Sequence, residues 1–292
     1  MASIKEYNDK LGSLRNTVKM TKTMKMVSAS KLRRAQEAQR EAQDYANKLN
    51  HLIARMAAAV DVHAHPLLTP RDGGKRVLIF MVSSDKGLCG GFNNNLIKAT
   101  TRWIDETFVN GEHVEMSFCG RRGYNFFKNR RTVRHHYEQV HNNPTFEKAA
   151  RIGGDLMEHF LEGEFDHVYV AYNVFKSALN QVPTFQKLLP IESPEFAAMV
   201  GEVEPIPSED YIFQPSQQEM LEMLIPRTVN FKVFYAMLEN AAGEHGARMT
   251  AMDNATSNAD QMIESYTLLR NRARQAAITT ELIEIISGAE AL

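Results

Sequence analysis

The sequence predicts an α/β protein in which long N- and C-terminal helices form an antiparallel coiled coil around an inserted Rossmann-like α/β domain. Three observations carry that prediction. Residues 217–292 hold apolar rows at heptad spacing, residues 4–56 hold another such pair of rows, and the stretch between them alternates strand-like and helix-like segments. The expected division is a coiled-coil helix over 1–60, a linker over 61–75, an α/β domain over 76–213, and a second coiled-coil helix over 214–292.

Composition sets the limits. Of the 292 residues, 43% are apolar, enough for a packed core. Thirty-four basic and thirty-five acidic residues nearly cancel, so total charge points to neither nucleic acid nor membrane. The distribution is less even. Residues 1–60 hold twelve Lys and Arg against five acids, a net of +7, and residues 216–292 hold six against ten, a net of −4. The two ends are electrostatically complementary. Two cysteines, Cys89 and Cys119, in a chain whose start shows no signal-peptide pattern indicate free thiols in a reducing compartment. No apolar run reaches the roughly 18 residues of a membrane span.

From Ile4 to about Met56 there is no proline and only Gly12, so one helix is expected. Tyr7, Leu14, Ala35, Ala42, Leu49 and Met56 form one row, and Ile4, Leu11, Val18, Leu32, Ala46 and Ile53 form the other. In the middle the rows hold Thr21, Lys25 and Ser28, while Met20, Met24 and Val27 make a neighbouring stripe. The apolar face is therefore expected to rotate there. The same interval carries Arg15, Lys19, Lys22, Lys25, Lys31, Arg33 and Arg34 without an acid between residues 10 and 36. Such a run is a solvated helix face or an electropositive collar for acidic partner surfaces. RNA binding is disfavoured because the run has no aromatic residue for base stacking.

Pro66, Pro70 and the Gly73-Gly74 pair interrupt the pattern and mark the linker. His63 and His65 within it, like His135, His136 and His141, lack a second cluster at ligand spacing and are read as solvent-facing imidazoles. Strands are expected at Arg76–Ser84, His113–Cys119, His167–Phe175 and Val182–Leu189, the last two joined by a hairpin at Ser177–Asn180. Helices are expected at Asn93–Val109, after Gly120, and over Pro144–Phe160. Residues 190–216 read as an acidic, proline-punctuated surface loop with a short strand at Tyr211–Phe213. In the last helix Phe234, Ala241, Ala255, Met262, Leu269, Ala276 and Ile283 form one row, and Leu238, Met252, Ala259, Tyr266 and Ala273 the second. Pro226 removes a backbone donor, so a kink or restart near Ile225 is expected. Seventy-odd helical residues would span about 100 Å, more than the first helix can cover, so the C-terminal end should project beyond it.

The one stretch that invites a catalytic reading is Ser84-Asp-Lys-Gly-Leu-Cys-Gly-Gly-Phe-Asn93, a Gly-rich turn between a strand and a helix N-terminus, where phosphates often sit. It has neither GxGxxG spacing nor the GK[ST] ending of a P-loop. A tight structural turn is the preferred reading, and a nucleotide-binding α/β enzyme using residues 85–91 is the alternative.

Four stretches resemble one family. The C-terminal Ile278-Thr-Thr-Glu281-Leu-Ile-Glu284-Ile-Ile-Ser-Gly288-Ala289 is similar to the signature that closes the gamma subunits of F-type ATP synthases. VKMTKTMKMVSASKLRRA near the N-terminus, SSDKGLCGGFN, and EHGARMTAMDNATSNADQMI resemble three more stretches of that family, in the family's order.

The resemblance implies a rotor of a proton-translocating complex, with no catalytic, cofactor or metal site of its own. Its implied partners are three alpha and three beta subunits, the epsilon subunit and the membrane c-ring, without nucleic acid. Catalysis would lie on the beta subunits, and the chain would sit peripherally, through the complex, on the cytoplasmic face of a bacterial inner membrane. By the same resemblance Met20, Lys22, Met24, Lys25, Lys31 and Arg33 would face the acidic lever segment of beta. Arg274, Gln275 and Thr279 would meet the catching loops of the head, Glu281 would be a further partner-binding residue, and Ile283 and Ile286 would sit in its apolar bearing.

Overall fold

The computed structural model describes residues 3–57, 65–69, 71, 74–109, 112–138, 140, 143–191 and 217–290. Two compact units are present: Met1–Ala29 with Arg248–Leu292, and Ser30–Ala247. Helices α1 (Ile4–Ala57) and α5 (Gln217–Glu290) contribute to both.

The larger unit is built on a five-stranded sheet. Its strands are β1 (Arg76–Val82), β2 (His113–Cys119), β3 (Thr132–Tyr137), β4 (His167–Phe175) and β5 (Gln181–Leu189), in the order β3-β2-β1-β4-β5. The first four are mutually parallel and β5 returns antiparallel to β4. Helices α2 (Phe92–Thr107), α3 (Arg121–Phe127) and α4 (Phe146–Leu161) make the crossovers. β1 is a continuous apolar run because both of its faces are covered. Leu78, Phe80 and Val82 pack with Ile152, Leu156 and Phe160 of α4 and with Ile225, Val229 and Val233 of α5. Val77, Ile79 and Met81 pack with Leu96, Ile97 and Ile104 of α2 and Phe127 of α3. The period-2 geometry of a strand thus feeds two separate cores.

Local chemistry fixes the joints. The Thr145 hydroxyl accepts the Lys148 N–H at 3.4 Å and caps α4. Gly120 has a φ of 97°, and a Cβ there would stand 2.0 Å from the Ser83 carbonyl oxygen, so only glycine lets the β2–α3 turn close on the end of β1. Asp166 is buried just before β4 and gathers the N–H groups of Lys75 and Arg76, both at 3.0 Å, with the Arg76 guanidinium at 2.9 Å. One carboxylate thereby ties the start of β1 to that of β4.

Several expectations need correction. β3 was not anticipated: Thr132-Val-Arg-His-His-Tyr137 lies at the sheet edge, largely exposed, and lacks the apolar alternation of its neighbours. α5 runs through Pro226 without a restart, its flanks Ile225 and Val229 held in the core. Leu67 and Leu68, inside the expected linker, are buried in the same core. The expected strand Tyr211–Phe213, nearly all of the acidic segment 190–216, His63, Gly73 and His141 lie outside the described residues.

Candidate functional site

The smaller unit is a helix pair. Lys25 faces Asp253, Thr21 faces Thr256 and Tyr7 faces Tyr266, so the partner numbers run in opposite directions and the helices are antiparallel. The seam of α1 keeps its phase: Leu11, Thr21 and Ser28 are the buried positions here, while Met20 and Val27 are 64% and 51% exposed. The expected rotation of the apolar face does not occur. Small hydroxyl residues fill the seam because their polar atoms are satisfied within it. The Thr21 and Thr256 hydroxyl oxygens are 2.6 Å apart, and both hydroxyls can also reach carbonyls of their own helices.

On α5 the row Met252, Ala259, Tyr266, Ala273 faces the seam as expected. The other expected row is displaced by one residue. Thr256 is buried and Ile263 and Arg270 are half-buried, whereas Met262 and Leu269 are 51% and 42% exposed. Apolar counting moved to the neighbours because two of the true seam positions are Thr and Arg.

The residues implied in partner contact fall into separate groups. Met20 and Lys22 are exposed, Met24 is half-buried, and Lys25 is paired at 2.6 Å with Asp253. That ion pair is largely solvent-exposed and stabilises the helix pair by only about 0.2–1 kcal/mol. Lys31 and Arg33 are exposed on the part of α1 that belongs to the larger unit, where Arg33 pairs with Glu37 one turn on, at 3.0 Å.

Carrying the register outward from Thr21–Thr256 brings Ile4, the first residue of α1, level with Ala273. Arg274, Gln275, Thr279, Glu281, Ile283 and Ile286 therefore lie past the start of α1, and all six are exposed. They begin about 27 Å along the helix from Thr256. Ile278, Leu282, Ile283, Ile285 and Ile286 are each at least half exposed, an apolar end with nothing of this chain over it among the described residues. The Thr279 hydroxyl donates to the Gln275 carbonyl at 2.9 Å, so towards an outside partner it offers lone pairs. Sequence reasoning missed the outward-facing Met26, Met262, Leu268 and Leu269; a heptad phase anchored on Thr21 and Ser28 would have found them.

The Gly-rich turn is occupied by its own side chains. Asn93 is buried, its amide donating to Ser84 Oγ at 2.8 Å and to Cys89 Sγ at 3.2 Å, while its oxygen accepts the Ser84 N–H at 3.0 Å. Positive φ values at Leu88 (64°) and Gly90 (57°) fold the loop back, and Cys89 and Phe92 pack on Ala247 of α5. Its glycines serve close packing. His159, Glu162 and Glu164 bring ligand atoms within 4.8 Å of one another, but the Arg134 guanidinium already pairs with Glu164 there. Cys89 and Cys119 are buried thiols, and burial pushes the Cys119 thiol up to about 12. Among the described residues no helix is long and apolar enough to cross a membrane.

Residues 3–292 match the family model described as ATP synthase. The chain is 46% identical over 293 residues to the ATP synthase gamma chain of Trichlorobacter lovleyi, covering 100% of this chain and 99% of that one. With the ATP synthase gamma chain of Geotalea uraniireducens it shares 47% identity over 292 residues, at the same coverage. Among solved structures, a chain of the Euglena gracilis mitochondrial ATP synthase in rotational state 3 superposes with a TM-score of 0.64 at 19% identity, over 99% of this chain and 94% of that one. A chain of the Tetrahymena thermophila central stalk and c-ring gives a TM-score of 0.56 at 23% identity, over 81% and 99%. At such identities the structural likeness is one of fold, whereas the full-length sequence matches decide descent: the chain belongs to the ATP synthase gamma chain family.

Proposed function

We propose that the chain is the central rotor shaft of a bacterial, proton-translocating F-type ATP synthase. It turns inside a head of three alpha and three beta subunits, and through its larger unit it is driven with the epsilon subunit and the membrane c-ring. ATP is made on the beta subunits, and the chain couples rotation to their conformational cycle without a catalytic site of its own. Its membrane association, at the cytoplasmic face of the inner membrane, is peripheral and runs through the complex.

The observation that carries this reading is the exposed apolar end of α5 past the start of α1, in a chain related over its full length to ATP synthase gamma chains. An exposed apolar helix end of that kind marks a surface for another protein to cover. The helix pair suits a sliding contact: adaptable Met20 and Met24 and solvated Lys19 and Lys22 can meet successive partner surfaces without a deep lock on any one. Affinity purification of the tagged chain from its host membranes tests the proposal. The expected product holds three large alpha and three beta chains per copy of this one; a chain that purifies alone or in another stoichiometry would overturn it.

A further inference from the structure

In the larger unit, Glu239 of α5 is 3% exposed, and its two oxygens serve two different elements. Oε2 accepts the Phe175 N–H at 2.6 Å, at the end of β4 where the chain turns towards the hairpin. Oε1 accepts from Nε2 of Gln39, on α1, also at 2.6 Å. Hydrogen bonds to a carboxyl group are directional, whereas the apolar packing around them is not.

The same face of α5 continues with Gly243 and Gly246. A Cβ at Gly243 would stand 2.8 Å from the Phe92 ring, and one at Gly246 would stand 2.9 Å from the Phe175 ring. Helix, strand end and α2 are thus in close approach where the carboxylate sits. Apolar side chains hold helices against a sheet but leave sliding along the axis and rotation about it comparatively soft. A carboxylate bound at once to a strand N–H and to the neighbouring helix fixes both coordinates.

We propose that Glu239 is a positioning residue for torque: the key through which the sheet and the parts of α1 and α5 within the larger unit turn as one body. This rests on the rotor reading above. The bridge works because one carboxylate faces two donors. In Glu239→Gln a single amide oxygen remains for Phe175, and the new NH2 opposes that of Gln39 unless the Gln39 amide turns over to accept. In Gln39→Glu two carboxylates face each other. The double exchange restores both bonds, with Oε1 of the new Gln accepting from Phe175 and its Nε2 donating to the new Glu.

The test is ATP-driven proton pumping by the reconstituted complex in vesicles, expressed per ATP hydrolysed, for the parent, Glu239→Gln, Gln39→Glu and the double exchange. Gln39→Glu, in which no amide rotation relieves the opposed carboxylates, should pump at least about two-fold less per ATP, Glu239→Gln should lose less, and the double exchange should recover most of the Gln39→Glu loss, as for two residues in direct contact. Amide exchange at Phe175 gives an independent reading, faster in Glu239→Gln and restored in the double exchange. Gln39→Leu, which removes one donor, supplies a milder variant if a charged single variant does not assemble, and its ratio should fall as well.

A Gln39→Glu variant that pumps like the parent would overturn the proposal, as would a double exchange no better than that variant. A parent complex that still pumps when this chain is left out would sink the rotor reading itself, a different result from either.

Discussion

Replacing Thr21 with valine removes one hydroxyl from the seam of the helix pair while keeping side-chain shape. Both threonines are 7% exposed and their oxygens are 2.6 Å apart. One hydroxyl donates across the seam and the other turns to its own helix, where Thr256 reaches the Met252 carbonyl at 2.8 Å and Thr21 the Thr17 carbonyl at 3.0 Å. The single change removes the bond across the seam but leaves the Thr256 hydroxyl donating to the Met252 carbonyl, and should cost about 1 kcal/mol. The same holds for Thr256→Val. In the double variant two apolar groups of the same shape meet, so the combined cost should be no larger than either single cost, a coupling of about 1 kcal/mol. Thermal unfolding of the full chain, followed by circular dichroism, should show a fall of about 2–4 °C for each single variant and no further fall for the double one. Two single falls that simply add would refute the contact, and with it the seam phase anchored on Thr21.

Three further outcomes follow from the larger unit and from the end of α5. Asp166→Asn should lower the melting temperature by about 2–4 °C or more at neutral pH, because the buried carboxylate holds two N–H groups of β1. Burial alone would raise the Asp166 carboxyl, but its hydrogen bonds to Arg76 and Lys75 outweigh that and hold it below the usual carboxylate range. Its stabilisation is therefore complete above the ordinary carboxylate pKa and is lost as pH falls through the depressed value, so melts from pH 7 down to pH 3 should show the gap between parent and variant closing. Gly120→Ala combines a φ of 97° with a backbone clash against Ser83 and should cost about 2 kcal/mol or more, read as poor soluble yield or a melting temperature lower by several degrees. Deleting residues 283–292 should leave the melting temperature of the isolated chain within about 1 °C, since the residues removed lie beyond the overlap with α1; a large fall would show that the end of α5 is packed within the chain.

Much of this architecture was legible where burial writes a simple pattern. β1 is apolar because two layers cover it, and α2 and α4 show their core faces at helical spacing. β3 was illegible because an exposed edge strand has no need of apolar alternation, and its Arg134, His135 and His136 read like a loop. In the coiled coil, apolar counting succeeded wherever the seam is apolar and failed where Thr21, Ser28, Thr256 or Arg270 occupies it. A hydroxyl pair can replace two methyl groups there, and only the three-dimensional partner reveals that it is satisfied. For the residues implied in partner contact by resemblance, the structure gives exposure alone. Lys22 and Arg274 are exposed as expected of charges, but the outward direction of Met20 and the half-burial of Met24 depend on a seam phase that composition does not carry. Pro226 misled because its missing donor lies near the start of a helix whose next turns are pinned in the core.

The central claim is that this chain turns. Leu179, at the tip of the β4–β5 hairpin, is 82% exposed, while Cys89 and Cys119 are buried, so Leu179→Cys offers a single reactive thiol for a bead or fluorophore. With the complex fixed to a surface through its alpha and beta subunits, the labelled chain should rotate in one direction during ATP hydrolysis, with three pauses per turn. Continued hydrolysis with the label stationary relative to the head would contradict the account.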